Sequence, residues 1–145
     1  MRLKSYIEIR SADSQPPERM LALPALVKGV FHASDCLDAA WDLVKGWSFE
    51  ERLTLYRDVH REALHARFRG IKVLELAREL YGIAEEGLRR QRVLDESGQD
   101  ERVYLERMGD QLATGRSPAR VIAEKWTGEW DRRVGRLISY AEYRA

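Results

Sequence analysis

Residues 71–93, IKVLELARELYGIAEEGLRRQRV, place Val73, Leu74, Ala77, Leu80, Tyr81, Ala84 and Leu88 at spacings of three and four. That period gathers them on one face of an α-helix, opposite the charged residues. A stripe of this kind has to be buried against other elements, so the longest segment already demands helical neighbours. Gly82 and Gly87 each cost about 1 kcal/mol against alanine inside a helix. Such residues are best tolerated where two backbones pack closely.

The neighbours are legible. ERMLALPALVKGVFHA, residues 18–33, is densely apolar, and Pro24 should kink it or divide it. Ser34 or Asp35 can cap the short helix CLDAAWDLVK, which ends at Gly46. Ser48 followed three positions on by Glu51 is a capping-box pattern and opens a helix through Tyr56 and beyond His60. LDESGQ is a loop, and DERVYLERMGDQLATG is a helix that stops at Gly115. Ser117 and Pro118 then mark a strong helix start, TGEW a turn, and DRRVGRLISYAEY a last short helix. The expected fold is mainly α, with about six helices in a single domain over residues 1–145.

One segment does not fit this pattern. Residues 3–10 alternate like a β-strand, with Leu3, Ser5, Ile7 and Ile9 on one face and Lys4, Tyr6, Glu8 and Arg10 on the other. No second strand is evident in the sequence, so strand 3–10 is expected to pair outside this chain, because unpaired backbone groups are costly.

Composition excludes several classes of function. With 25 Lys+Arg against 24 Asp+Glu the net charge is +1, which argues against a dedicated nucleic-acid binder. No apolar run approaches the roughly 20 residues of a membrane-spanning helix, and the charged N-terminus is no signal peptide. Cys36 is the only cysteine, so there is neither an internal disulfide nor a cysteine-rich zinc site. A soluble cytoplasmic protein with no membrane partner is expected.

Most candidate chemical groups read as structure. His60 and His65 are five apart, not the i, i+4 spacing of a helical zinc pair, and His32 has no nearby ligand. These histidines are expected at the surface or in packing. Cys36 should behave as a small hydrophobe, and Arg89, Arg90 and Arg92 as a solvated helix end suited to the dipole. Trp41, Trp47, Trp126 and Trp130 are expected to pack. Tyr6, Glu8, Arg10 and Asp13 leave two readings open. Glu8 and Arg10 can form a surface ion pair worth about 0–1 kcal/mol, which the spacing alone favours. Alternatively, Glu8 coordinates a hard divalent cation while Arg10 grips a phosphate or carboxylate.

Taken in order, the segments resemble a known family. RLKSYIEIRSAD followed by LALPALVKGV is similar to the C-terminal portion of glutamate–cysteine ligases (γ-glutamylcysteine synthetases) of the plant and proteobacterial type. WSFEERLTLYRDV resembles the family's next helix. FRGIKVLELARELYGIAEEGL resembles its long helix, including Phe68, Arg69, Ala77, Ala84, Gly87 and Leu88. TGRSPARVIAEKWTGEWDRRVGRLISYAEY resembles its ending, although the tail lacks the family's Gly and Asp-Pro.

The resemblance implies a larger glutamine-synthetase-like α+β ligase fold, with strand 3–10 part of its antiparallel active-site sheet. It implies ATP- and magnesium-dependent ligation of the glutamate γ-carboxylate to the cysteine amine, the first step of glutathione synthesis. Glu8 would be a magnesium ligand, and Arg10 the catalytic contact to the transferring phosphate or the glutamate. Tyr6 and Asp13 would shape that substrate site, while Arg69 matches by position and receives no role. Leu21 stands where some plant members carry a regulatory cysteine. The missing sheet and most metal-binding acids would lie upstream, so the chain is expected to be catalytically incomplete by itself. Two further readings follow: a helical interaction module completing a partner chain, and a γ-glutamyl ligase with another amine acceptor.

Overall fold

Proline and glycine set where the helices begin and end. The computed structural model describes residues 2–3, 6–9, 12 and 15–142. A single turn, α1 (Pro17–Met20), opens with proline at its first position, where a missing N–H costs nothing. α2 (Ala22–Phe31) follows. Pro24 lies in the first turn of α2, whose N–H groups have no intrahelical acceptor. The predicted helix divides at Leu21, and Pro24 is accommodated in the first turn of α2.

α3 (Ser34–Val44) has Ala33 at its N-cap and no side-chain cap, so neither predicted capping residue acts as one. Asp35 instead turns its Oδ1 to the Cys36 N–H at 3.1 Å. α4 (Phe49–Glu62) has the full capping box: Ser48 Oγ accepts from the Glu51 N–H at 3.2 Å, and Glu51 Oε2 accepts from the Ser48 N–H at 2.8 Å. α5 (Val73–Gln91) is the 19-residue axis of the fold. It is followed by a 3-10 turn over Glu101–Leu105, then α6 (Glu106–Thr114), which ends on left-handed Gly115. α7 (Pro118–Thr127) starts on the Ser117 cap, whose Oγ accepts from the Arg120 N–H. α8 (Val134–Ala141) is last.

The N-terminal stretch departs from the single strand expected for residues 3–10. β1 (Arg2–Leu3) and β2 (Ile7–Glu8) pair antiparallel, with Arg2 opposite Glu8 and Leu3 opposite Ile7. The segment folds back on itself, so part of its backbone pairing is met within the chain. A second hairpin, β3 (Arg67–Phe68) with β4 (Ile71–Lys72), precedes α5. The periodicity of residues 71–93 hides it, because Ile71 and Lys72 extend the helical pattern. Its two turn residues both have positive φ, +49° at Arg69 and +84° at Gly70, the requirement of a tight hairpin turn.

The core lies where α2 crosses α5. Ala25, Val30, Ala84, Leu88 and Leu105 form it, with Leu26, Ala40, Leu80, Tyr81 and Ile83 packed around them. Gly29 and Gly87 face each other at the crossing. A Cβ on Gly87 would overlap the Gly29 carbonyl oxygen, and one on Gly29 would overlap the Ala84 carbonyl. Gly87 thus has the close-packing role expected of a helix glycine, whereas Gly82 is exposed and has nothing within 4 Å of its missing Cβ.

Cys36 is buried as expected, and burial together with the nearby Glu86 carboxylate pushes its thiol pKa up. All three histidines are exposed. Arg89 and Arg90 are engaged with Glu86, and Arg90 also with Asp35. Trp47, Trp126 and Trp130 are half-buried or buried, but Trp41 is 56% exposed and does not pack as expected.

Two alanine substitutions should separate the glycines. Gly87→Ala drives a methyl into backbone and should destabilise by about 3 kcal/mol or more, the upper range for overpacking. Gly82→Ala should stabilise by up to about 1 kcal/mol through helix propensity and lost chain entropy. Urea unfolding of both variants checks this. Equal midpoints would contradict the glycine crossing.

Candidate functional site

Of the residues singled out by the strand pattern, the structure describes Tyr6 and Glu8. Glu8 lies in β2 and is half-buried, and Tyr6 precedes that strand at a bend with 56% of its surface exposed. Arg10 and Asp13 lie outside the described residues. The hairpin therefore presents one carboxylate from a short ribbon, with a phenol in the preceding bend. A carboxylate is a hard oxygen ligand suited to magnesium, which usually takes one or two protein carboxylates plus water and phosphate. Among the described residues, however, no group of three or more His, Cys, Asp or Glu converges as a metal site.

Two surface clefts are lined by other residues. One, of about 370 Å³, is lined by Tyr81, Glu85, Asp100, Arg102 and Glu106. Desolvation and the carboxylates of Glu85, Glu106 and Asp110 push the Tyr81 phenol up. The other, of about 580 Å³, runs between α3 and α5 past Asp35, Cys36, Leu43, Glu79 and Ile83. Neither cleft includes Tyr6 or Glu8.

The structure assigns Arg69 work that its sequence position alone did not reveal. Its guanidinium grips Glu51 through two bonds, Nε to Oε1 at 2.8 Å and a terminal nitrogen to Oε2 at 2.9 Å. It also donates to the Gly46 carbonyl at 2.7 Å. Beneath it, the Phe68 ring lies 5.3 Å from the guanidinium carbon and 4.3 Å from the Trp47 ring. Arg52 bonds the Val44 and Trp47 carbonyls at 2.8 and 3.3 Å. The β3–β4 turn is thereby tied to the end of α3 and the start of α4. Capping box and clamp share Glu51, so one carboxylate serves helix start and hairpin together. A capping-box Glu and an arginine before glycine are both visible in sequence. Their meeting across 18 positions is not.

This arrangement has a pH signature. The Arg69 guanidinium, then the Ser48 N–H, holds the Glu51 pKa down at about 2 against an ordinary 4.5. A lowered carboxylate pKa contributes stability that is present above the ordinary value and lost as pH falls through the lowered one. The melting temperature should therefore fall between pH 4.5 and 2, and Glu51→Gln should flatten that fall while lowering stability at pH 7. A variant with the same acid profile as the parent chain would show that the clamp carries no charge-dependent stability.

Similarity to known proteins extends along almost the whole chain. The sequence model of glutamate-cysteine ligase family 2 matches residues 1–139. The chloroplastic glutamate–cysteine ligase of Solanum lycopersicum is 32% identical over 143 residues, covering 99% of this chain and 26% of that protein. The Arabidopsis thaliana chloroplastic enzyme is 34% identical over 134 residues, 92% of this chain and 24% of its own length. That of Medicago truncatula is 32% identical over 143 residues, 99% and 27% respectively. The chain thus spans about a quarter of the length of the curated relatives it matches. Those relatives are named as chloroplastic; among the described residues of this chain no helix is long and apolar enough to cross a membrane. With a family match reaching from the β1–β2 hairpin into α8, the chain belongs to glutamate-cysteine ligase family 2, a family of ligases.

Proposed function

We propose that this chain is the C-terminal helical part of an ATP- and magnesium-dependent ligase that joins the γ-carboxylate of glutamate to the amine of cysteine, in the first step of glutathione synthesis. The observation that carries the reading is the match over 99% of the chain to a protein named as a glutamate–cysteine ligase. In this reading Glu8 supplies one oxygen ligand to magnesium, and Arg10 contacts the transferring phosphate or the glutamate. Tyr6 and Asp13 line the same substrate site. The remaining metal ligands come from outside the described residues, since these hold no acidic cluster of their own. A site in the reducing cytoplasm suits the lone buried thiol of Cys36.

Surface area supports a chain that works against further polypeptide. It presents 10673 Å² to solvent, whereas a compact folded monomer of its mass exposes about 7,700 Å². The β1–β2 ribbon supports the same view. Two-stranded ribbons are marginal in water, and the outer edges of β1 and β2 can extend a sheet supplied by a partner chain or another part of the ligase.

Two assays test the reading. The 145-residue chain alone should show no cysteine-dependent ATP hydrolysis, because phosphoryl transfer needs several groups converging on the metals. In a chimera, the segment of the Solanum lycopersicum enzyme that matches this chain is replaced by this chain. It should form γ-glutamylcysteine, and Glu8→Gln should lower kcat by about 100-fold while raising the magnesium requirement. A folded but inactive chimera, or robust turnover by the chain alone, would refute the proposal.

A further inference from the structure

Arg19 carries a buried donor with nothing to donate to. It lies in α1, the first helical turn after the ribbon that bears Glu8, and α1 packs on α2 and α6. The residue as a whole is half-buried. Its Nε is shielded from solvent and has no hydrogen-bond partner, the only side-chain nitrogen or oxygen of the described residues in that condition. The terminal nitrogens of the same guanidinium are not shielded in this way, and among the described residues no carboxylate pairs with them. Packing thus grips the stem and the Nε, while the end of the fork stays open.

Other arginines of the fold show what such a group normally does. Arg69 and Arg89 each set Nε and a terminal nitrogen against both oxygens of one carboxylate, at distances between 2.6 and 2.9 Å. Arg78 sets the same two nitrogens on the Leu112 carbonyl. An unpaired buried donor is costly, and in a native fold it calls for a reason. Deprotonation does not relieve the cost, because a guanidinium stays charged at any working pH. A counter-charge does. The rigid fork matches the paired oxygens of a carboxylate or a phosphate, and partial removal from water strengthens that attraction.

We infer that Arg19 is an anion receptor, whose open fork takes two oxygens of a carboxylate or phosphate on a small substrate. Packing holds the guanidinium before any anion arrives, which removes part of the ordering cost of binding. The anion site stands on the geometry of Arg19 alone. Its occupant rests on the ligase reading above: the anion then belongs to glutamate or to the nucleotide, and Arg19 is a binding residue additional to Arg10.

The Nε–H proton gives a direct readout by nuclear magnetic resonance. In the isotope-labelled 145-residue chain, the Arg19 Nε–H signal is identified by its loss in Arg19→Lys. Inorganic phosphate or, separately, glutamate should move it saturably, with half-saturation on the order of 10 mM. The Arg69 Nε–H signal, already paired with Glu51, should stay in place, and sodium chloride at matching ionic strength should move neither. Saturating anion should raise the melting temperature of the parent chain by about 5 °C. Arg19→Gln should lose that rise while keeping its circular dichroism, and Arg19→Lys should keep part of it. In the chimera, Arg19→Gln should raise KM about tenfold or more, for glutamate if a carboxylate is held and for ATP if a phosphate is, with kcat changed less. An inactive chimera would count against the ligase reading and leave the anion titration to decide this inference. A signal that neither anion moves, equal shifts at Arg19 and Arg69, or unchanged KM for both substrates would each overturn it.

Discussion

The contact between Gly29 of α2 and Gly87 of α5 sets the geometry of this fold. At that point the two helices touch through backbone, with Ala84 alongside Gly29. Small residues at a crossing bring helix axes closer than the usual 8–10 Å or so of side-chain-mediated packing. Everything around the crossing is scaled to that separation. Gln91 reaches back to the Lys28 carbonyl at 3.4 Å and to the Gly87 carbonyl at 3.2 Å. Lys28 meets Glu101 at 2.5 Å, and Leu105 is fully buried in the same core. Lower on α5, Arg78 places two bonds on the Leu112 carbonyl at 3.1 and 2.7 Å and holds the last turn of α6.

A seam this close leaves a narrow core. Leu88 and Leu105 are the largest fully buried side chains, and alanines fill much of the remainder. Interiors respond to single methyl groups because they are packed like crystals, and here much of that packing is concentrated along one line. Elements far from the seam need other restraints. The β3–β4 hairpin has the Arg69 clamp and the Trp47–Phe68 contact. The tail has Trp130, buried among α7 and α8 residues with Tyr140 at 5.1 Å and Lys125 at 5.8 Å. The β1–β2 ribbon has strands of two residues each, the least backbone pairing of any part that bears proposed chemistry.

What the sequence disclosed follows from the range over which each signal acts. The Ser48–Glu51 capping box, the Ser117–Pro118 start and the Gly115 stop are decided within four residues, and the structure has all three. The cap predicted at Ser34 or Asp35 failed because several polar residues near a helix start compete, and the backbone entered the helix one position earlier, at Ala33. The β3–β4 hairpin was hidden because two-residue strands are too short to show alternation. Its signal lay in the turn, where Arg69 takes the unfavourable positive φ beside Gly70. Residues 3–10 do alternate, but alternation cannot distinguish one long strand from two short ones folded back. Glycine is the hardest residue to read, since Gly82 and Gly87 share one helix and composition alone cannot say which faces a neighbour.

Narrow core and large surface are one physical fact seen from two sides. A chain of this size that commits its small residues to a single backbone seam cannot also bury all its aromatics. Trp41, Phe49 and Tyr56 are left at the surface, each more than half exposed. For a free-standing domain this is costly, because burial of such side chains is the main favourable term in folding. For a domain that meets other surfaces the same residues are anchors, already held by helices whose positions the seam determines. The close seam between α2 and α5 and the exposed aromatics of α3 and α4 are thus two consequences of one distribution of small and large side chains.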